Sequence, residues 1–290
     1  MRVLSLFDGM SCARIALDRV GIAVTSYKAS ELDKYAIKVS HENYPDIEQL
    51  GDVCDVKAED VGEIDLLIGG SPCQDLSFAG KGKGLKEGTR SSLFFEFVRL
   101  KNELNPKYFI LENVRMKQEN QDIISKYLGV KPKQFNSSLV SAQNRNRLFW
   151  TNIDFDLPED KGIILADILE DGVTDRGKSH CLDANYFKGG NLKSYFEKHR
   201  RQLIFNKEIT SPIREKSKTV RSGGRGSYDR HEWDSVDKLH WRKLTPLECE
   251  RLQTVPDNYT NHVSNTQRYK MLGNGFTVDV IAHILKGAEL

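Results

Sequence analysis

One thiol, one carboxylate and a pair of guanidinium groups, spread over residues 73–147, are the side chains best suited to making and breaking bonds. Cys73 follows the run Leu66-Leu67-Ile68-Gly69-Gly70-Ser71-Pro72 and opens a loop that contains Gly80, Gly82, Gly84 and Gly88 among several lysines. A lone cysteine is most often a small buried hydrophobe. The proline before this one and the glycine- and lysine-rich loop after it point instead to a positioned, partly exposed thiol. Such a thiol is a nucleophile once ionised, and nearby cations favour that form. Glu112-Asn113-Val114 closes a second apolar run, Tyr108-Phe109-Ile110-Leu111, and offers a carboxylate for proton transfer. Gln143-Asn144-Arg145-Asn146-Arg147 sets two guanidinium groups just before Leu148-Phe149-Trp150. Taken one at a time, a carboxylate at a strand end is usually just solvated, and paired arginines usually form a charged edge.

The elements that must hold these groups alternate in type through residues 1–150. Val3 to Phe7 reads as a buried strand and Asp8-Gly9-Met10-Ser11 as a turn. A helix follows with Ala13, Ala16, Leu17 and Val20 on one face, and Gly21 ends it. Thr25 to Ala29 is a second strand, ending at Ser30-Glu31. Leu66 to Ile68 and Tyr108 to Leu111 are further strands, separated by a helix with Leu93, Phe97, Leu100 and Leu104 in one stripe. Short apolar strands alternating with helices predict an α/β chain with a doubly wound, mostly parallel sheet. Ligands of such sheets bind outside the carboxyl ends of the strands, where Asp8, Glu31, Cys73 and Glu112 all fall. From about 160 to 260 the alternation is lost, and Gly189-Gly190, Gly223-Gly224 and Gly226 lie among Arg, Lys, Ser and Tyr. This reads as a second, smaller and irregular lobe. The final stretch regains a helical pattern (Val278, Ile281, Ile284, Leu285) and is expected to pack back on the first lobe.

The chain has 290 residues, 39% hydrophobic and 29% charged, which suits one sizeable core with a second lobe. A net charge of +2 argues for no particular partner. Its distribution does: Lys193 to Arg230 holds eleven Lys/Arg against four Asp/Glu, a net of +7, so the remainder carries −5. One basic segment in an otherwise acidic chain is an electrostatic footprint for nucleic acid. The five cysteines (Cys12, Cys54, Cys73, Cys181, Cys249) are scattered, with no zinc-ligand spacing, so no metal is expected and reduced thiols in the cytoplasm fit best. No apolar run approaches ~18 residues and no leader is read at the N-terminus, so no membrane span is expected. The absence of GxGxxG and of a P-loop disfavours NAD and ATP.

The motifs together are far more specific than any one of them. Gly70-Ser71-Pro72-Cys73-Gln74, Glu112-Asn113-Val114 and Gln143-x-Arg145-x-Arg147 occur in that order. Arg242-x-Leu244-Thr245-x-x-Glu248-x-x-Arg251-Leu252-Gln253 and Gly273-Asn274-Gly275 follow. In order and spacing, over nearly the whole chain, this resembles the cytosine-5 DNA methyltransferase family. Ser5-Leu6-Phe7-Asp8-Gly9 and Leu93-Phe94-Phe95-Glu96-Phe97 bring it nearest to compact phage and bacterial enzymes and to the catalytic domain of the vertebrate de novo methyltransferases. Two positions depart from the family pattern. Ser11 stands where a second glycine is usual, and Gly275-Phe276 stands where the last motif often ends in Ser or Ala.

The resemblance implies a Rossmann-like, S-adenosylmethionine-dependent methyltransferase fold with a smaller target-recognition domain. Residues 1–158 with 262–290 would form the catalytic and cofactor-binding domain, and 159–261 the recognition domain. It implies that Cys73 adds to carbon 6 of a flipped-out cytosine in double-stranded DNA and that carbon 5 receives the methyl group. Glu112 would hold or share a proton at ring nitrogen 3, and Arg145 would steady the base carbonyl oxygen, while Arg147 would support the fold or the loop. S-adenosylmethionine would meet Phe7, Asp8, Gly9 and Met10 at the first turn, and Glu31 and Leu32 beyond the second strand. Asp52 and Val53 would lie at the adenine edge, with Leu93 near the cofactor and Asn274, Gly275 and Phe276 closing the pocket. Lys81, Lys83 and Arg90 would close over the DNA backbone, and Lys218, Arg221 and Arg225 would cross phosphates and reach base edges. A modification or phage-protection role follows from the same likeness, and no obligate protein partner is implied. Three alternatives stay open. An RNA cytosine-5 methyltransferase would act on tRNA rather than duplex DNA. A catalytically inactive DNA-binding relative would lack one of Cys73, Glu112 and Arg145. A small-molecule methyltransferase would have no use for the basic lobe.

Overall fold

The computed structural model describes residues 1–72, 93–206 and 240–288. Its first half is the alternation read from the sequence. β1 (Arg2–Leu6), α1 (Cys12–Arg19), β2 (Ser26–Ser30), α2 (Lys34–Asn43), β3 (Glu48–Gln49), α3 (Ala58–Val61) and β4 (Leu66–Gly69) come first. α4 (Leu93–Leu104), β5 (Tyr108–Val114), α5 (Gln118–Leu128), β6 (Lys133–Asn136) and β7 (Asn146–Thr151) follow. The seven strands lie in the order β3-β2-β1-β4-β5-β7-β6. The pairs among the first five are parallel, and β7 runs antiparallel to both its neighbours.

Side chains along these strands alternate between two cores, as period-2 geometry requires of a sheet covered on both faces. Val3, Leu66, Ile68 and Ile110 pack on one side with α1, whose buried Ala13, Ala16 and Leu17 face the sheet. Leu4, Leu6, Leu67 and Leu111 pack on the other with Phe94, Phe97 and Leu100 of α4. β1 sits between β2 and β4, so the chain winds outward from it in both directions. The crevice that such a reversal opens lies at the carboxyl ends of β1 and β4.

The rest of the described chain is irregular up to α6 (Leu192–Lys198), β8 (Leu203–Phe205) and β9 (Trp241–Lys243). α7 (Pro246–Leu252), α8 (Asn265–Asn274) and α9 (Val278–Leu285) complete it. β8 and β9 form a separate two-stranded sheet beside a small cluster of Tyr195, Leu203 and Phe205. Leu165, Ile168, Leu182, Tyr186, Leu244, Cys249, Leu252, Val255 and Tyr259 instead enter the core that holds Val3 and α1. α9 packs along α1, joined by the Arg19–Asp279 ion pair at 2.5 Å.

α7 begins with a reciprocal cap: Thr245 accepts from the Glu248 N–H, and Glu248 accepts from the Thr245 N–H, with Pro246 at the first position. The fully buried Glu248 is matched by Arg242 at 2.7 Å. α8 ends in close contact with the backbone of Asp183 and Ala184. A Cβ on Gly273 would lie 2.3 Å from the Asp183 carbonyl carbon and 2.4 Å from the Ala184 nitrogen. Gly273→Ala is therefore expected to lower stability by about 1–3 kcal/mol through overpacking against an unyielding backbone. Thermal unfolding of the variant, compared with Gly177→Ala, where a Cβ meets only an ordinary contact at 3.9 Å, measures it.

Candidate active site

A cavity of about 430 Å³ opens at the carboxyl ends of β1, β2, β4 and β5. That volume is in the range of sites for nucleoside-sized ligands. Of the residues expected to meet a cofactor, Phe7, Asp8, Gly9, Glu31, Leu32, Asp52, Val53, Leu93, Asn274, Gly275 and Phe276 all line it. Met10 does not. It is 1% exposed in the core beside α1, because its carbonyl takes the Tyr259 hydroxyl and its methyl group lies against Gly275.

The β1–α1 turn and the end of β2 are joined through one carboxylate. Glu31 Oε2 accepts the Gly9 N–H, and Oε1 accepts those of Leu32 and Asp33, each at 2.8 Å. Asp33 caps α2 through the Tyr35 N–H and pairs with Lys270 at 2.6 Å. Five carboxylates (Asp8, Glu31, Asp33, Asp52 and Glu112) line the cavity beside two arginines, Arg145 and Arg147. Three backbone N–H groups thus orient Glu31 before any ligand arrives. A nucleoside with hydroxyls to donate and a positive charge elsewhere fits this donor and charge set.

The opposite wall belongs to β4, β5 and β7. Gly70 allows close approach: a Cβ there would stand 2.9 Å from the Phe276 ring and 3.2 Å from Glu112 Oε2. Asn113 is buried and donates to both the carbonyl and the hydroxyl of Ser71, at 3.3 and 3.1 Å. That clamp fixes the chain two residues before Cys73. Cys73 itself, with Lys81, Lys83 and Arg90 of the following loop, lies outside the described residues, as do Lys218, Arg221 and Arg225.

Glu112 pairs with Arg147, not with Arg145. Arg147 Nε lies 2.8 Å from Glu112 Oε1, with both side chains largely shielded from water. The register explains it. Val114 faces Arg147 across the β5–β7 ladder, so Glu112 and Arg147 are diagonal neighbours on one face. Arg145 precedes the first residue of β7 and turns away into the protein. It is 3% exposed and donates to the carbonyls of Leu182, Gly273 and Gly275 and to Cys181 Sγ. Four of its five N–H groups are committed to protein acceptors, although the residue also lines the cavity. Burial and the neighbouring Arg147 both pull its pKa down. Burial alone would push the Cys181 thiol up, but Arg145 and Arg147 draw it below its ordinary value.

The remaining motif residues hold this wall together. Gln143 Nε2 donates to the Leu252 carbonyl and to Gln253 Oε1. Gln253 Nε2 donates to the Leu272 and Gly275 carbonyls, and Thr277 donates to Gln253 Oε1. Two glutamines thus join the segment that carries Arg145 and Arg147 to the one that carries Asn274 and Gly275. Neither the Asn113 clamp nor the pairing of Arg147 with Glu112 is visible in the sequence motifs. Strand alternation would have found the second, once β5 and β7 were known to pair. Among the described residues no group of His, Cys, Asp and Glu could hold a metal ion, and no helix is long and apolar enough to cross a membrane.

Known proteins resemble the chain over nearly its whole length. A family model described as C-5 cytosine-specific DNA methylase matches residues 1–289. The type II methyltransferase M1.ScrFI of Lactococcus lactis subsp. cremoris is 29% identical over 306 residues, covering 97% of this chain and 76% of its own. The type II methyltransferase M.HhaI of Haemophilus parahaemolyticus is 27% identical over 330 residues, covering 98% and 93%. The Entamoeba histolytica methyltransferase EhMeth has the same fold, with a TM-score of 0.72 at 16% identity over 99% of this chain and 97% of its own.

Proposed function

The chain belongs to the C-5 cytosine-specific DNA methylase family, S-adenosylmethionine-dependent enzymes, and we propose that it methylates carbon 5 of a cytosine turned out of duplex DNA through a covalent bond between Cys73 and carbon 6. The observation that carries this reading is one cavity, with the Gly9–Glu31 turn on one wall and the Glu112–Arg147 pair and the Ser71-Pro72 approach to Cys73 on the other.

Carbon 5 of cytosine is a poor nucleophile until a thiolate adds to carbon 6. The proton that neutralises the ring sits at nitrogen 3, against the Glu112 carboxylate, and Arg147 holds that carboxylate in place. Asn113 steadies the Ser71 backbone, and through it the approach of the nucleophile. Glu31 and the Phe7–Gly9 turn hold the cofactor, with Asp52 and Val53 at its base, Leu93 beside it and Asn274 to Phe276 closing over it. When bound, S-adenosylmethionine supplies the methyl group. Loss of the carbon 5 proton then restores the double bond and expels Cys73. Extruding the base costs a few kcal/mol of stacking and pairing, which contacts to the DNA backbone must offset.

In this reading residues 1–158 and 262–290 do the chemistry and 159–261 recognise the target. The basic stretch with Lys218, Arg221 and Arg225 contacts phosphates and base edges, and Lys81, Lys83 and Arg90 close on the backbone. The relatives support a modification role. Bisulfite sequencing of plasmid DNA incubated with the protein and S-adenosylmethionine tests the activity, with tRNA treated in parallel. Protected cytosines at one recurring site in the plasmid are expected. Protection confined to tRNA, or to neither, overturns the reading.

A further inference from the structure

The β1–α1 turn passes through three left-handed residues, Phe7 (φ 56°), Gly9 (φ 62°) and Ser11 (φ 63°). Only the middle one is a glycine, so surrounding contacts must hold the other two. Asp8 supplies those contacts. Its Oδ2 accepts the Ser11 hydroxyl at 2.5 Å and its Oδ1 accepts the Tyr27 hydroxyl at 2.7 Å. Its carbonyl accepts the Ser11 N–H, and its own N–H donates to Ser30 O, both at 3.2 Å. The Ser11 and Ser40 hydroxyls meet at 2.6 Å. One buried carboxylate therefore ties β1 to the start of α1, to β2 and, through Ser11, to α2. Ser11 stands where the family usually has glycine, and its hydroxyl is what Asp8 grips.

We propose that Asp8 is a positioning residue for methyl-donor binding and that it serves only in its ionised form, so that donor affinity falls when Asp8 takes up a proton. The inference rests on the assignment of the cavity to S-adenosylmethionine. An ionised carboxylate only accepts, and both of its oxygens have a hydroxyl donor here. A protonated carboxyl donates from one oxygen, so one of the two hydroxyls must reorient or let go. Release of Ser11 loosens the turn that aims the Gly9 N–H at Glu31, and Glu31 is the group that meets the ligand.

Burial pushes Asp8 up to about 6, opposed by the hydroxyls of Ser11, Ser5 and Tyr27 and assisted by the charge of Glu31. The titratable groups facing it are Tyr27 from β2, Glu31 just after it, Cys12 from α1 and Tyr259 from the loop after α7. Burial lifts the Cys12 thiol to about 12 and raises both phenols, so these three keep their protons at neutral pH. α2 contributes only the hydroxyl of Ser40. For stability the sign is opposite to that for binding. The carboxyl titrates above its ordinary 3.8. The folded chain thus holds this proton more tightly than the unfolded chain, and stability falls as pH rises through about 4–6. An ion kept at the expense of the fold serves the site.

The test is isothermal titration of the full chain with S-adenosylhomocysteine between pH 5 and 7. One proton with a midpoint near 6 is expected to weaken binding about tenfold at pH 5 relative to pH 7. Asp8→Asn is expected to bind at pH 7 more weakly than the wild type does at pH 5, where about a tenth of Asp8 is still ionised. Its profile should be flat, and its thermal unfolding at pH 7 no earlier than that of the wild type. Tyr27→Phe removes one donor and is expected to move the wild-type midpoint upward, which keeps the test decisive even if Asp8→Asn fails to fold. Wild-type affinity in Asp8→Asn at pH 7, an unchanged profile in that variant, or an unmoved midpoint in Tyr27→Phe would each overturn the inference. No binding by the wild type at any pH would instead remove the assignment of the cavity, and this inference with it.

Discussion

Replacing Cys73 by serine is expected to reduce methyl transfer to background, a loss on the order of 10⁴-fold or more, while S-adenosylhomocysteine binds as before. The reason lies in acidity. A thiol is partly ionised at neutral pH and intrinsically nucleophilic, whereas a serine hydroxyl with no general base beside it is neither. Loss of a nucleophile removes a whole reaction path, not one contact, so the effect is larger than for any supporting residue. DNA carrying 5-fluorocytosine gives the second readout. Fluorine at carbon 5 blocks the final elimination, so the wild type should remain covalently attached, and denaturing electrophoresis should show a complex that the serine variant does not form. An equally stable adduct with serine at position 73 would end the assignment.

The next largest effects are expected at Glu112 and Arg147, and they should differ in kind from the effect at Arg145. Glu112→Gln keeps the shape but cannot carry the ring proton, and single-turnover methylation should slow by about 10²–10⁴-fold. Arg147→Ala removes the guanidinium 2.8 Å from Glu112 and should slow the same step while leaving the fold largely intact. Arg145→Ala strips donors from the carbonyls of Leu182, Gly273 and Gly275, of which Gly275 keeps Gln253 Nε2. At about 1–3 kcal/mol for each buried acceptor left unsatisfied, it should destabilise the chain by roughly 3 kcal/mol or more. Rate and thermal unfolding measured together separate the two arginines. A stable, inactive Arg145→Ala beside a fully active Arg147→Ala would reverse the roles argued from the geometry.

The sheet was legible because its strands are short, apolar on both faces and closed by turn residues, which is how a doubly covered parallel sheet reads. The gathering of Phe7, Gly9, Glu31 and Asp52 around one cavity was legible for a related reason. These residues follow strand ends, and strand ends converge on one crevice whatever the loop details. That the Met10 side chain enters the core was not legible, because a turn alternates its side chains between cavity and core, and one residue decides which. The choice between Arg145 and Arg147 depended on where β7 begins and on its running antiparallel to β5. Neither follows from two arginines spaced by one residue. The two glutamines of the scaffold, Gln143 and Gln253, lie about 110 residues apart. No local pattern predicts that such distant side chains share a hydrogen bond.

The cofactor turn is made early in the chain and finished late. The Tyr259 hydroxyl donates to the Met10 carbonyl across 249 residues, and Arg19 on α1 meets Asp279 on α9 across 260. At a synthesis rate of about 5–20 residues per second, the first helix leaves the ribosome roughly 10–50 s before the segments that close over it. Through that interval the cavity lacks the side that Met271 to Phe276 supply. The cavity cannot close until Tyr259 and Asp279 have been made. A premature stop between β7 and residue 259 therefore leaves all seven strands made but their α1 side uncovered and open to aggregation, not a shortened enzyme with weak activity.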